Sequence, residues 1–266
     1  MPDEQAAHVE LTGVRVAFGD RAVFDGLDVA FERGRVSVIM GSSGCGKSTL
    51  LRLIGGLQRP DAGEVRVVDE QIDGLGEIGL GRVRRRLGMQ FQNGALLDSM
   101  TVFDNIALPL REHGRGGAAE IAERVRATLD SVGLDEVETL LPGELSGGML
   151  RRVAFARAIV MEPEILLADE PFSGLDPPNV SRIESLLVDL NRRLGLTVLV
   201  TSHHLASSLR LADRIVLLRD LKALVGTPRE LAGSADSAIR EFMGADGAAY
   251  LLAADAPAAG EPGVGR

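Results

Sequence analysis

The chain is 266 residues long, 45% hydrophobic and 25% charged, with no tryptophan, one tyrosine and one cysteine. This composition excludes disorder over the whole length and excludes a disulfide scaffold, and it suits one or two domains with an aliphatic core. The net charge of −9 argues against nucleic acid as a partner. No segment reaches the roughly 18 apolar residues needed to cross a bilayer. The acidic start Met-Pro-Asp-Glu-Gln also lacks the apolar core of a signal peptide, so a soluble, intracellular protein is expected.

In chain order, alternation predicts strands at Val14–Phe18 and Leu27–Phe31, and a continuous apolar run predicts one at Val36–Met40. A glycine-rich turn, Gly41 to Gly46, follows, and then a helix over Lys47–Ile54. Further strands are expected at Glu64–Val68 and Leu87–Phe91. From about Asn93 to Ala158 the texture becomes helical, with Ile121, Val125, Leu129 and Val132 forming one amphipathic stripe. This block reads as a helical subdomain inserted into a core whose strands resume at Ile165–Ala168, Thr197–Thr201, Arg214–Leu218 and Leu221–Val225, with a helical pattern from Ile183 to Leu194. Strands alternating with helices imply a largely parallel sheet covered on both faces. After Gly244 the chain shifts to Ala, Gly and Pro, and its last ten or so residues are expected to be mobile.

Gly41, Ser42, Ser43, Gly44, Cys45, Gly46, Lys47 and Ser48 match the phosphate-loop pattern, with the required strand before and helix after. Glycines let backbone N–H groups converge on phosphate oxygens, and the helix adds its positive end. Lys47 would reach the β- and γ-phosphates, and the Ser48 hydroxyl, next to Thr49, would coordinate Mg²⁺. Of the 29 basic residues only Lys47 and Lys222 are lysine, and a compact ammonium suits a phosphate nest where an arginine fork does not. Cys45 reads as filling a permissive position rather than as a redox switch. Asp169 and Glu170 end a buried strand, where Asp169 would hold Mg²⁺ and Glu170 would polarise the attacking water. Ser146, Gly147 and Gly148 open another helix and form a second anion site with no phosphate of its own.

The phosphate loop, Gln92, Leu145-Ser-Gly-Gly148, Asp169-Glu170, Ser173-Gly-Leu-Asp176 and Ser202-His203, in that order, resemble the ATPase subunits of ABC transporters over roughly residues 9–230. The resemblance implies an α/β fold: a phosphate-loop (RecA-like) core with an antiparallel β subdomain and the inserted helical subdomain. It also implies that two copies dimerise head to tail around ATP and Mg²⁺. Ser146, Gly147 and Gly148 of one copy would then face the γ-phosphate held by the other, and Asp176 would join the two sites. On the same grounds Gln92 would sense Mg²⁺ and the γ-phosphate, and His203 would contact the γ-phosphate. Phe18 would stack on adenine, a core role being the alternative. The chain departs from the family pattern at Met149, where glutamine is usual, at His204, where aspartate is usual, and at Phe18, where tyrosine is usual.

The segment Met89 to His113, with Leu-Ser-Gly-Gly-Met149 and Asp-Glu-Pro-Phe172, is similar to the ATPases of Mla/Mce-type phospholipid transport systems. That similarity implies a homodimer on the cytoplasmic face of the bacterial inner membrane, beneath a separate permease of the Mla type. An Mce-domain protein and a small STAS-domain protein are the further partners it suggests. An ATPase domain is expected over 8–235, with the helical subdomain at about 93–158. Residues 236–266 are expected to form a C-terminal extension; some ATPases of this group have one that crosses to the other subunit, and residues 236–255, with Ile239, Phe242, Met243 and Tyr250, could do so. Arg82 to Arg86 read as a solvated helix face rather than a headgroup contact. The alternatives are an ABC ATPase for another solute, or a soluble ABC ATPase acting on nucleic acid or ribosomes.

Overall fold

The computed structural model describes residues 7–255, the last three by backbone alone. The acidic start and the tail expected to be mobile lie outside this range. Two strands, β1 (Ala7–Phe18) and β2 (Arg21–Glu32), open the chain and pair antiparallel. Each is 12 residues long, more than twice the length of the alternating runs that signal them. Val9 and Leu11 are buried before Gly13, and Val14 and Val16 after it, so the inward face changes parity within β1. The register shifts there and opposite Gly26, and both glycines have positive φ (60° and 67°). A bulge thus resets the alternation midway, which is why periodicity finds only half of each strand.

β3 (Val36–Met40) and α1 (Lys47–Ile54) flank the glycine loop. β4 (Ala62–Val67) and β5 (Glu70–Gln71) complete a four-stranded antiparallel sheet in the order β2-β1-β4-β5. α2 (Glu77–Arg84) leads into β6 (Leu87–Gln90). Three helices then intervene, α3 (Val102–Glu112), α4 (Ala118–Ser131) and α5 (Gly147–Ile159), before β7 (Ile165–Asp169). The remainder runs α6 (Pro177–Leu194), β8 (Thr197–Thr201), α7 (Leu205–Leu211), β9 (Arg214–Arg219), β10 (Lys222–Gly226), α8 (Pro228–Ala232) and α9 (Ser237–Asp255).

The second sheet has the order β10-β9-β3-β8-β7-β6, parallel except for the edge strand β10. Every residue of β3, β7 and β8 is buried. Val36, Val38, Met40, Leu166, Ala168, Val198 and Val200 face the α3–α7 side, while Ile39, Ile165, Leu167, Leu199 and Val216 face α1 and the antiparallel sheet. Ile239 and Met243 of α9 are buried in the first of these cores, against α7 and α8.

Three details correct or extend the sequence reading. Residues 93–101 are irregular rather than helical, because polar side chains take over their backbone. Asn105, fully buried, donates to the carbonyls of Leu97, Met100 and Thr101 and accepts from Leu97 N–H. Lys222, which sequence left without a role, donates from Nζ to Gly26 O at 2.5 Å and ties β10 to the bulge in β2. In the basic run, Arg84 donates to Gly56 O and Arg86 pairs with Glu164, while Arg82 and Arg85 stay exposed.

His8 is buried, with Nδ1 at 2.6 Å from Thr197 Oγ1 and Nε2 at 3.5 Å from Glu164. Burial, reinforced by Arg33, holds its pKa below the usual histidine value. Below the unfolded pKa of about 6.5 the unfolded chain accepts a proton that the folded chain resists, so stability falls as pH drops through that region. His8→Asn, which keeps a hydrogen-bonding group toward Thr197, is expected to flatten the loss between pH 7.5 and pH 5.5 in urea titrations. Equal losses in parent and variant would remove His8 as the cause.

Candidate nucleotide site

The site assembles at the C-terminal edge of the parallel sheet, where β3, β8 and β7 end side by side. Between β3 and α1 the chain turns through Gly41 (φ 147°), Gly44 (φ 76°) and Gly46 (φ 108°). A Cβ on Gly41 would fall 2.6 Å from Cys45 Sγ and Leu218 O, and one on Gly46 would fall 2.7 Å from Phe24 and Val23. Glycine is required at both points by space as well as by φ. No side chain caps the N-terminus of α1, which leaves its N–H groups directed at the cleft. Lys47 Nζ donates to Gly41 O at 3.0 Å and lies 3.8 Å from Glu170 Oε1.

One continuous hydrogen-bond chain links the first turn of α1 to the ends of β7 and β8. Ser48 Oγ donates to Asp169 Oδ1 at 3.1 Å, and Thr201 Oγ1 donates to the same oxygen at 2.6 Å. Thr201 Oγ1 in turn accepts the N–H of Glu170 at 2.9 Å. Glu170 takes a positive φ of 47°, unusual for a side chain of its size, and its Oε2 accepts from His203 Nδ1 at 2.7 Å. Asp169 and Glu170 are each only 8% exposed, so these bonds fix carboxylates that bulk water does not reach freely.

A cleft of about 520 Å³ opens over this chain, lined by Phe18, Arg21, Val23, Ser43, Gly44, the stretch from Gly46 to Thr49, Gln92, Glu170 and His203. Phe18 is 53% exposed at its mouth. Gly41, Ser42 and Cys45 face a neighbouring cavity between the loop, the β9–β10 turn and α9. Burial raises the pKa of the Cys45 thiol, which disfavours the thiolate a redox switch would use.

The second group of expected residues lies apart from this cleft. Ser146 caps α5, accepting Met149 N–H at 3.3 Å, and Asp176 caps α6, accepting from Asn179 N–H at 3.3 Å and Asn179 Nδ2 at 2.6 Å. A Cβ on Gly148 would fall 2.4 Å from Asn179 Oδ1, so Asn179 joins the two caps, and glycine at 148 is what lets α5 approach it. Met149 is half-buried against the main core. His204 heads α7 without a side-chain cap and lies beside the His203 ring instead.

Sequence reasoning missed Thr201, Arg21, Asn179 and Arg151. Thr201 carries a signal in retrospect, being the last residue of a strand that ends in Ser-His. Arg21, which donates to Gly44 O at 2.9 Å, has none, because only folding brings β2 over the loop.

A glycine loop between a buried parallel strand and a helix, with a serine on the carboxylate of the next strand but one, defines a phosphate-loop nucleotide-binding α/β protein. Residues 24–173 match the family described as ABC transporter. The chain belongs to the ABC transporter family and carries its ATP-binding and ATP-hydrolysing cassette. It is 42% identical over 244 residues to the intermembrane phospholipid transport system ATP-binding protein MlaF of Escherichia coli (strain K12), covering 91% of each chain. It is also 43% identical over 217 residues to the methionine import ATP-binding protein MetN of Mesorhizobium japonicum, covering 82% of this chain and 59% of that one. Among solved structures, the dimeric bacterial ABC transporter cassette MJ0796 superposes with a TM-score of 0.76 at 33% identity, covering 82% of this chain and 98% of that one. Among the described residues no helix is long and apolar enough to cross a membrane.

Thr201→Val keeps the side-chain shape and removes the hydroxyl shared by Asp169 and Glu170. The variant is expected to lose about 1–3 kcal/mol of stability, because a buried N–H and a buried carboxylate lose their partner. ATP turnover is expected to fall about tenfold or more as Glu170 loosens. Unchanged urea midpoint and turnover would show that the hydroxyl organises nothing.

Proposed function

We propose that this chain is the ATP-hydrolysing subunit of a phospholipid transporter of the Mla/Mce type, working as a homodimer at the inner membrane beneath a separate permease. The observation that carries the catalytic reading is the bonded series Ser48–Asp169–Thr201–Glu170–His203, which holds one carboxylate beside the phosphate loop and a second poised over it. We assign the ATPase domain to residues 8–235, its helical subdomain to about 93–158, and an extension to 236–266.

In this reading the loop amides from Gly41 to Thr49 and the Lys47 ammonium hold the phosphates, and Phe18 stacks on adenine. Glu170, held by Thr201 at its backbone and by His203 at Oε2, accepts a proton from the attacking water. His203 and Lys47 offset negative charge on the γ-phosphoryl oxygens. Ser146, Gly147 and Gly148, with Asp176, complete the site of the opposite subunit. Ser48 and Asp169 present hard oxygen donors 3.1 Å apart at the loop edge, a donor set that fits Mg²⁺, with Gln92 as a further oxygen ligand. When bound, Mg²⁺ would neutralise charge on the phosphate oxygens.

The transported class rests on the MlaF match and on the Met89–His113 segment, which lies where α3 enters the helical block. An Mce-domain protein and a small STAS-domain protein are the partners this implies.

Glu170→Gln is expected to bind ATP with parent affinity, to turn over about 100-fold more slowly or worse, and to accumulate as a closed dimer on size exclusion. Near-parent turnover would remove Glu170 as the base. For the transported class, the tagged chain is purified from membranes of its own host. An Mla-type permease with bound phospholipid is expected alongside it, and a permease for another solute would overturn that part of the reading.

A further inference from the structure

Helix α5 carries three arginines, Arg151, Arg152 and Arg157, and each spends its guanidinium on backbone carbonyls. Arg152 donates to Gly133 O at 2.5 Å, at the C-terminal end of α4. Arg157 donates to Ala95 O at 2.7 Å and Gly94 O at 2.9 Å. Arg151 is the most buried, 8% exposed, and its two terminal nitrogens point to different loops. One donates to Gln92 O, and the other donates to Ser173 O at 3.0 Å. Its Nε has no partner, and among the described residues no carboxylate lies within ion-pair distance. Burial alone pulls its pKa down.

A cation withdrawn from water with only carbonyls for company is an expensive arrangement, and packing alone gives no reason for it, because an apolar side chain would fill the same volume. What a guanidinium adds is a planar fork with two donor ends at fixed separation. That fork joins the backbone of Gln92, whose residue lines the cleft, to the backbone of Ser173, midway between Glu170 and Asp176. The helix bearing the fork is capped at its N-terminus by Ser146. Arg157, six residues on, holds Gly94 and Ala95 to the same helix, so the segment after β6 is fastened at two points.

We propose that Arg151 is a positioning residue that makes Gln92, Asp176 and Ser146 one mechanical unit, so that a shift of Gln92 in the cleft is carried to the two segments presented to the opposite subunit. The inference rests on the roles proposed above for those three residues. Arg151 touches neither nucleotide nor water; it sets the spacing between groups that do.

The test uses the full-length chain and two variants, Arg151→Met, which keeps the apolar stem, and Arg151→Lys, which supplies a point charge able to reach one carbonyl at a time. Four quantities are read: affinity for a fluorescent ATP analogue, kcat and KM for ATP, ATP-driven dimerisation in a Glu170→Gln background, and amide exchange by segment. For Arg151→Met the expected result is analogue affinity within about twofold of the parent and kcat lowered about tenfold. Dimerisation should weaken in step, and exchange should be faster at 92–95 and 173–176 while the loop 41–49 is unchanged. Arg151→Lys should fall between parent and Met variant. Parent-like kcat and dimerisation in the Met variant would overturn the proposal, and so would loss of nucleotide affinity together with faster exchange throughout, the mark of a purely structural residue. Should the Met variant fail to fold, the Lys variant decides: parent-like exchange at both segments with parent-like kcat overturns the proposal. Exchange needs no hydrolysis, so a parent chain inactive toward ATP would sink the catalytic reading while the clamp itself stayed measurable.

Discussion

The structure depends on three adjacent strands, β3, β8 and β7, being buried on both faces and ending at the same level. In that register Thr201 lies opposite both Ile39 and Asp169. A one-residue slip of β7 would exchange the faces of Leu166 and Leu167 and break the packing on both sides at once. Burial therefore fixes the register, and the register delivers Gly41, Asp169, Glu170 and Thr201 to one edge. The single Thr201 hydroxyl can then serve a carboxylate and an amide together, and the strained φ of Glu170 is tolerated because its N–H is already held.

Positive charge in this chain follows a division of labour. Arginine is used mostly where a planar donor can reach carbonyls or carboxylates across a gap between elements. Arg84, Arg86, Arg151, Arg152, Arg157 and Arg193 all bond main-chain oxygens of another segment. The two lysines sit where a compact ammonium is needed, in the phosphate loop and against the Gly26 bulge. Both reach glycine carbonyls, Lys47 that of Gly41 and Lys222 that of Gly26.

Much of the parallel core was legible because its strands are continuous apolar runs ending in glycine, Asp-Glu or Ser-His, and because α1, α4 and α6 keep an apolar face at helical spacing. The antiparallel sheet was legible only in part: bulges at Gly13 and Gly26 change the parity of burial, and a period-2 pattern cannot survive that. The irregular segment 93–101 was hidden because side chains outside it bond its backbone, Asn105 from the helix that follows and Arg157 from 62 residues beyond Ala95.

The sequence by itself determined the phosphate loop, the order of the site motifs and the family, since these are carried by local residue types whose chemistry is read without a fold. Only the tertiary structure decided which groups act together. Ser48 and Asp169 are 121 residues apart and Arg151 and Gln92 are 59 apart, so nothing in local pattern pairs them. Their meeting depends on a sheet register and a helix crossing that the buried side chains set collectively.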